Sequence, residues 1–228
     1  MNGKIKEDVV SHLRVFSRES DLESNANVLI IGNAYGVMPY IAPLATQLSE
    51  SGYRPFWFAF SGQGGTPGEF CFESGVRDIE MILHWLSENH DDKPIRIVSH
   101  CAGSLLAIEY LSKFHNSKVD KMIIYGLLFS MQRRRRIAER RLRQSGVKYN
   151  LSEADWAYSP LETLSALSIP ILFTHASDEL NIDRASVDEI NSAVAATSDG
   201  RLIWHNMGYD NDLSLIREYI DEYVEFLS

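Results

Sequence analysis

Cys101 stands in the turn Ser99-His100-Cys101-Ala102-Gly103, between the apolar run IRIV at 95–98 and SLLAIEYL at 104–111, whose spacing is helical. A cysteine in a strand-to-helix turn sits at a helix N-terminus, where the partial positive charge favours the thiolate over a free thiol that titrates near about 8.5. A thiolate attacks acyl carbons readily. Ser99 and Gly103, two positions to either side, are small enough for strand and helix to approach closely, and Ser104 and Ala107 continue that surface. Without chemistry, Cys101 reads as a small buried hydrophobe filling the turn, since free cysteines are among the most buried residues.

A second unusual stretch is RRRRIAERRLR at 133–143, with seven arginines in eleven residues of a chain whose formal net charge is -9. One reading is a solvated helix face paired with acidic neighbours. The other is a patch for phosphate groups or acidic surfaces, with Arg134, Arg136 and Arg140 as candidate docking residues for coenzyme A, a phosphopantetheine arm or an acyl carrier protein. Nucleic acid is not the expected partner, because the overall balance is acidic and no aromatic residues interleave the run.

The elements that must position these residues follow from periodicity. DVVSHLRVFSR at 8–18 alternates like a strand, and VLIIG at 28–32 is a continuous apolar run ended by glycine, as in a strand buried on both faces. Ile41, Leu44, Ala45 and Leu48 share a helical face before Gly52. Residues 56–60 predict a strand, SGQGGTPG a loop, and Val76, Ile79, Ile82, Leu83 and Leu86 a helix over 74–89. After the Cys101 turn and its helix, VDKMIIYGLLFS predicts a strand. Residues 131–169 then change character before IPILFTH resumes the pattern, so that stretch is expected to be a helical cap insert within one domain of 1–228. A helix over 184–196, a strand RLIWH and a closing helix complete an alternation that predicts a mostly parallel sheet covered by helices on both faces. With 45% hydrophobic residues, 228 residues suffice for one such core.

Strand, turn and helix around Cys101 resemble the nucleophile elbow of the α/β-hydrolase superfamily, whose motif G-x-S-x-G reads S-x-C-x-G here. The resemblance covers most of the chain. Gly32-Asn33-Ala34-Tyr35-Gly36 falls where the family has a His-Gly segment, and Gly62-Gln63-Gly64-Gly65-Thr66 resembles its G-x-G-x-S loop without the preceding aspartate. The resemblance implies an α/β-hydrolase fold and an oxyanion held by the N–H of Ala102 and an amide of Ala34 or Tyr35. It also implies Asp178, after IPILFTHA, as the acid. His205, 27 positions later and the sole histidine beyond Asp178, is the implied base. The family's histidine falls in the loop beyond the strand, where this chain has Gly208-Tyr209-Asp210, so Tyr209 or Asp210 remains an alternative occupant. His100 is expected to pack beside the nucleophile and His175 within its strand. Dienelactone hydrolases and polyester synthases resemble this arrangement in carrying cysteine at the elbow.

No CxxC pair, HExxH helix or cofactor fingerprint is present, so neither metal nor cofactor is expected. The longest apolar run, 122–131, is about half of the roughly 20 residues needed to span a bilayer. Two cysteines and no signal-like N-terminus suit a cytoplasmic setting. The expected activity is acyl transfer, a thioesterase or acyltransferase acting on a small acyl substrate, free or carrier-bound. The alternatives are hydrolysis of a free ester or lactone, and a non-catalytic binding module with the same fold.

Overall fold

The computed structural model describes residues 4–19, 23–33, 40–90, 93–114, 118–128, 131–176, 184–205 and 212–228; at 176, 184–186, 205 and 212–218 it describes the backbone alone. Eight strands form one sheet: β1 (Ile5–Val10), β2 (Leu13–Arg18), β3 (Asn27–Ile31), β4 (Arg54–Phe58), β5 (Ile95–His100), β6 (Val119–Tyr125), β7 (Ile171–Ala176) and β8 (Gly200–His205). Their order is β1-β2-β4-β3-β5-β6-β7-β8. β2 is antiparallel to both neighbours, and every pairing from β4 to β8 is parallel.

The stretch expected as one strand over 8–18 is part of a hairpin that turns at Ser11 and His12, with Ser11 at φ 57. A two-residue turn needs a positive φ there. The turn shifts the phase of the alternation: Lys6, Asp8 and Val10 of β1 share a face with Ser17, Val15 and Leu13 of β2.

The central strands β3 and β5 are buried along their whole length, as a parallel sheet covered on both faces requires. On one face Ile97, Ile124 and Phe173 meet α2 (Phe72–Asn89) and α3 (Ala102–Lys113) through Ile79, Ile82, Leu105 and Leu106. On the other, Val98, Ile123 and Leu172 meet α1 (Ile41–Glu50) and α8 (Asp212–Leu227) through Leu44, Leu48, Tyr223 and Phe226.

Between β6 and β7 lie a 3-10 turn (Gln132–Arg134), α4 (Arg135–Gln144), α5 (Glu153–Ala157) and α6 (Leu161–Leu164), followed after β7 by α7 (Arg184–Ala196). This segment packs through Ala138, Leu142, Trp156 and Leu164 onto the cluster that also contains Cys101. Its backbone is sewn to the loop after β4: Phe70 N donates to Lys148 O at 2.7 Å and Lys148 N to Gly62 O at 3.1 Å. The approach is close enough that a Cβ on Gly62, at φ +79, would lie 2.4 Å from Lys148 O.

Candidate active site

β5 ends at His100, and α3 begins at Ala102, so Cys101 is the single residue that reverses the chain. It does so at φ 53, ψ -120, one of two positive-φ residues other than glycine among those described. An L residue held there costs about 1–3 kcal/mol and persists when its surroundings over-determine it. Those surroundings are visible. Cys101 N donates to Tyr125 O at 3.0 Å, Ser104 N donates to Cys101 O at 3.1 Å, and Ser99 Oγ donates to Ile123 O at 3.2 Å. A Cβ on Gly103 would lie 2.2 Å from Gly32 O, so the first turn of α3 abuts the end of β3. The demand for small residues around the cysteine is therefore a backbone contact. Cys101 is 3% exposed and Ala102 is equally buried.

His100 occupies the last position of β5. Its Nδ1 lies 2.6 Å from the Tyr40 hydroxyl, its ring stacks on Tyr125 at 4.8 Å, and Tyr40 meets it edge-on at 5.1 Å. Burial, with smaller contributions from the charges of Arg141 and His175, pushes its pKa down to about 3, so it is a neutral hydrogen-bonding group at physiological pH. Tyr40 also stands at the N-terminus of α1. The pair therefore bridges the strand that carries the cysteine and the helix that follows residues 34–39. Sequence reasoning missed Tyr40; nothing in its local pattern distinguishes it from any aromatic at a helix start.

Of the other expected site residues, His205 is the last residue of β8 and lies in register beside Ala176, so its backbone belongs to the strand. Its side chain, together with Ala34, Tyr35, Asp178, Tyr209 and Asp210, lies outside the described residues. His175 is buried in β7 and packs against Trp204 at 5.8 Å. Cys71 also occupies a helix start: it caps α2, with Ser74 N donating to its Sγ at 3.3 Å. Helix position alone therefore does not separate the two thiols; the strained turn does.

A serine, a histidine and an aspartate meet elsewhere, and their geometry is structural. Ser61 donates through N and Oγ to Asp78 at 2.7 and 3.0 Å, while His12 Nε2 lies 2.9 Å from Ser61 Oγ. The serine stands between the other two and spends its proton on the carboxylate, so the histidine cannot act as its base. Burial raises the Asp78 carboxyl above its usual range, against the lowering effect of Ser61 and His12. The trio ties the β1–β2 hairpin, the loop after β4 and α2 together.

The arginine run forms the 3-10 turn and α4, and the structure sorts its members. Arg133 makes a two-pronged bond to Glu189 at 2.8 and 3.0 Å. Arg135 bonds Glu139 and Glu153 and lies over the Trp156 ring at 5.3 Å. No acidic partner is recorded for Arg136 or Arg140 among the described residues, and both are exposed.

A mostly parallel eight-stranded sheet, helices on both faces and a strained residue between β5 and the following helix define an α/β-hydrolase. Residues 25–151, more than half of the chain, match the model of the family described as serine aminopeptidase, S33, and the protein belongs to that family. The family's description names a serine enzyme, and the residue at the strained turn of this chain is Cys101.

Solved structures share the fold at low identity. An esterase from Pyrococcus furiosus superposes with a TM-score of 0.79 at 13% identity over 99% of this chain and 90% of its own. The thioesterase domain from the curacin biosynthetic pathway gives 0.71 at 12% over 99% and 100%. An α/β hydrolase from a Penicillium species gives 0.74 at 12% over 100% and 98%. Among curated proteins none matches. No described helix is long and apolar enough to cross a membrane.

Proposed function

We propose that this hydrolase is an acyl-transfer enzyme, a thioesterase or acyltransferase, working through an acyl-enzyme on Cys101. The observation that carries the reading is the backbone of Cys101: a buried cysteine is held at φ 53, ψ -120 at the start of a 12-residue helix, a strained conformation of the kind that clusters at active sites. In this reading His205 takes the thiol proton and Asp178 orients the imidazole. The thiolate adds to the acyl carbon, and the oxyanion is held by the N–H of Ala102 and an amide of Ala34 or Tyr35. Collapse expels the alcohol or thiol, which leaves with the proton from His205. Water or an acceptor nucleophile, deprotonated by His205, then releases the acyl group and restores the thiol.

Arg134, Arg136 and Arg140 are proposed to dock the phosphates of coenzyme A or of a carrier-borne pantetheine, with the 131–169 segment acting as a cap, in a cytoplasmic setting. A second reading, hydrolysis of a free small ester, is favoured by the internal pairing of Arg133 and Arg135, which uses part of the run as surface salt bridges.

The test is incubation with p-nitrophenyl acetate and with short acyl-CoA, followed by turnover assay and peptide mass mapping. The proposal expects an acetyl adduct on the Cys101 peptide and loss of turnover in Cys101→Ala. Turnover that survives Cys101→Ala, or absence of both turnover and adduct in the unmodified protein, refutes it. Turnover of the nitrophenyl ester alone selects the second reading.

A further inference from the structure

β1 is an edge strand that is exposed along almost its whole length, and it carries two of the most exposed large apolar side chains, Ile5 at 46% and Val9 at 68%. Edge strands present unpaired N–H and C=O groups, and charge on them normally discourages pairing. Which charges β1 carries, and where, makes it fit a copy of itself.

In a two-residue hairpin the residues flanking the turn, here Val10 and Leu13, exchange both backbone hydrogen bonds. Along β1 the groups of Lys6, Asp8 and Val10 therefore point to β2, and those of Ile5, Glu7 and Val9 point outward. The bond from Ala59 N to Arg14 O agrees with this phase, since it directs Arg14, the neighbour of Val9, toward β4. An antiparallel second copy related by a twofold axis at Glu7 matches the outward groups residue for residue. Ile5 then faces Val9 of the second copy, and Lys6 faces its Asp8. Both contacts occur twice by symmetry. The apolar pairs lie on one face and the ion pairs on the other.

Sliding the copy by two residues either way preserves the hydrogen-bond phase but sets Lys6 against Lys6 or Asp8 against Asp8. Among registers of this phase, the one centred on Glu7 is thus singled out by charge. Its one like-charged contact, Glu7 against Glu7, is offset because each carboxylate already accepts from its own Arg14 Nε at 2.6 Å. Asp8 has no ion-pair partner recorded among the described residues, while Lys6 reaches Glu19 from the other side.

We infer that the protein self-associates through β1, joining two eight-stranded sheets into one continuous sheet across a twofold axis. One strand pair buries less than the roughly 1,200 Å² of a standard stable interface, so the dimer is weak and reversible. The inference is independent of the acyl-transfer reading.

Sedimentation velocity over roughly two decades of micromolar concentration tests it. The unmodified protein should shift from monomer to dimer. Lys6→Asp, which sets a carboxylate against Asp8 twice, should weaken association by about ten-fold or more. The double variant Lys6→Asp/Asp8→Lys restores both ion pairs and should recover it. These side chains are exposed, so circular dichroism should show each variant folded. A monomer at every concentration overturns the inference. So does a dimer indifferent to Lys6→Asp, or a double variant no better than the single one.

Discussion

Gly103→Ala should destabilise the protein far more than Gly75→Ala, although both glycines lie in the first turn of a helix and both are tightly packed. The intrinsic helical gain of alanine over glycine, about 0.5–1 kcal/mol, is common to the two sites. What differs is the obstacle. At Gly75 the new methyl would meet Leu106 Cδ1 at 2.7 Å and Cδ2 at 3.2 Å, the far end of a flexible side chain, with the ring edge of Phe70 also at 3.2 Å. Leu106 can turn aside. At Gly103 it would meet Gly32 O at 2.2 Å, with Ile31 O and Ile31 Cγ2 both at 3.0 Å. The first of these is more than an ångström short of ordinary contact, and it is backbone directly after a central strand held by β5 through Ile31, so α3 itself must move. Overpacking costs about 1–3 kcal/mol, and an obstacle that cannot rotate belongs in the upper half of that range. A difference of about 2 kcal/mol between the variants is expected from urea unfolding. Because α3 starts beside Cys101, Gly103→Ala should also slow acylation of the thiol, whereas Gly75→Ala should leave it unchanged. Unfolding free energies within about 0.5 kcal/mol of each other would refute the claim that backbone contact, and not local packing, dictates the small residue here.

His205→Ala should lower turnover of p-nitrophenyl acetate by several orders of magnitude with the fold intact by circular dichroism; retained turnover would assign the base elsewhere. The folded protein keeps His100 neutral down to about 3, whereas the unfolded chain protonates it near 6.5. Stability attributable to this residue is therefore complete above pH 6.5 and lost progressively as pH falls toward 3. Subtracting the unfolding free energy of His100→Gln from that of the unmodified protein should leave a difference that declines across this window; a flat difference would show that His100 is not excluded from protonation. Tyr40→Phe leaves the buried His100 Nδ1 without the hydroxyl and should cost about 1–3 kcal/mol in thermal or urea unfolding, with an unchanged stability arguing against that hydrogen bond. Changing Arg134, Arg136 and Arg140 together to glutamine should raise KM for acyl-CoA and reduce its salt dependence while sparing the small ester; equal loss on both substrates would remove the docking role.

The alternation of apolar runs with helical stripes was enough to predict a parallel sheet with helices on both faces. Ser99, Cys101 and Gly103 were enough to predict a strained turn between strand and helix. These are short-range properties: a period of 2 or 3.6 and the size of side chains near a turn act within a few residues. They survive whatever the rest of the chain does. Three other features depended on contacts between separate elements. The Ser11-His12 turn carries no glycine, proline or asparagine to mark it in the sequence, and only the pairing of β1 with β2 revealed the hairpin. Tyr40 and His100, sixty positions apart, became a hydrogen-bonded pair because α1 packs on the face of the sheet that Val98 and His100 of β5 line. The arginine run looked uniform until Glu189, Glu139 and Glu153 engaged Arg133 and Arg135 and left Arg136 and Arg140 outward. Local patterning thus determined which elements exist and where the cysteine turns the chain. The tertiary structure decided which side chains meet, because burial and charge pairing act through space, and only the assembled sheet brings those atoms within reach.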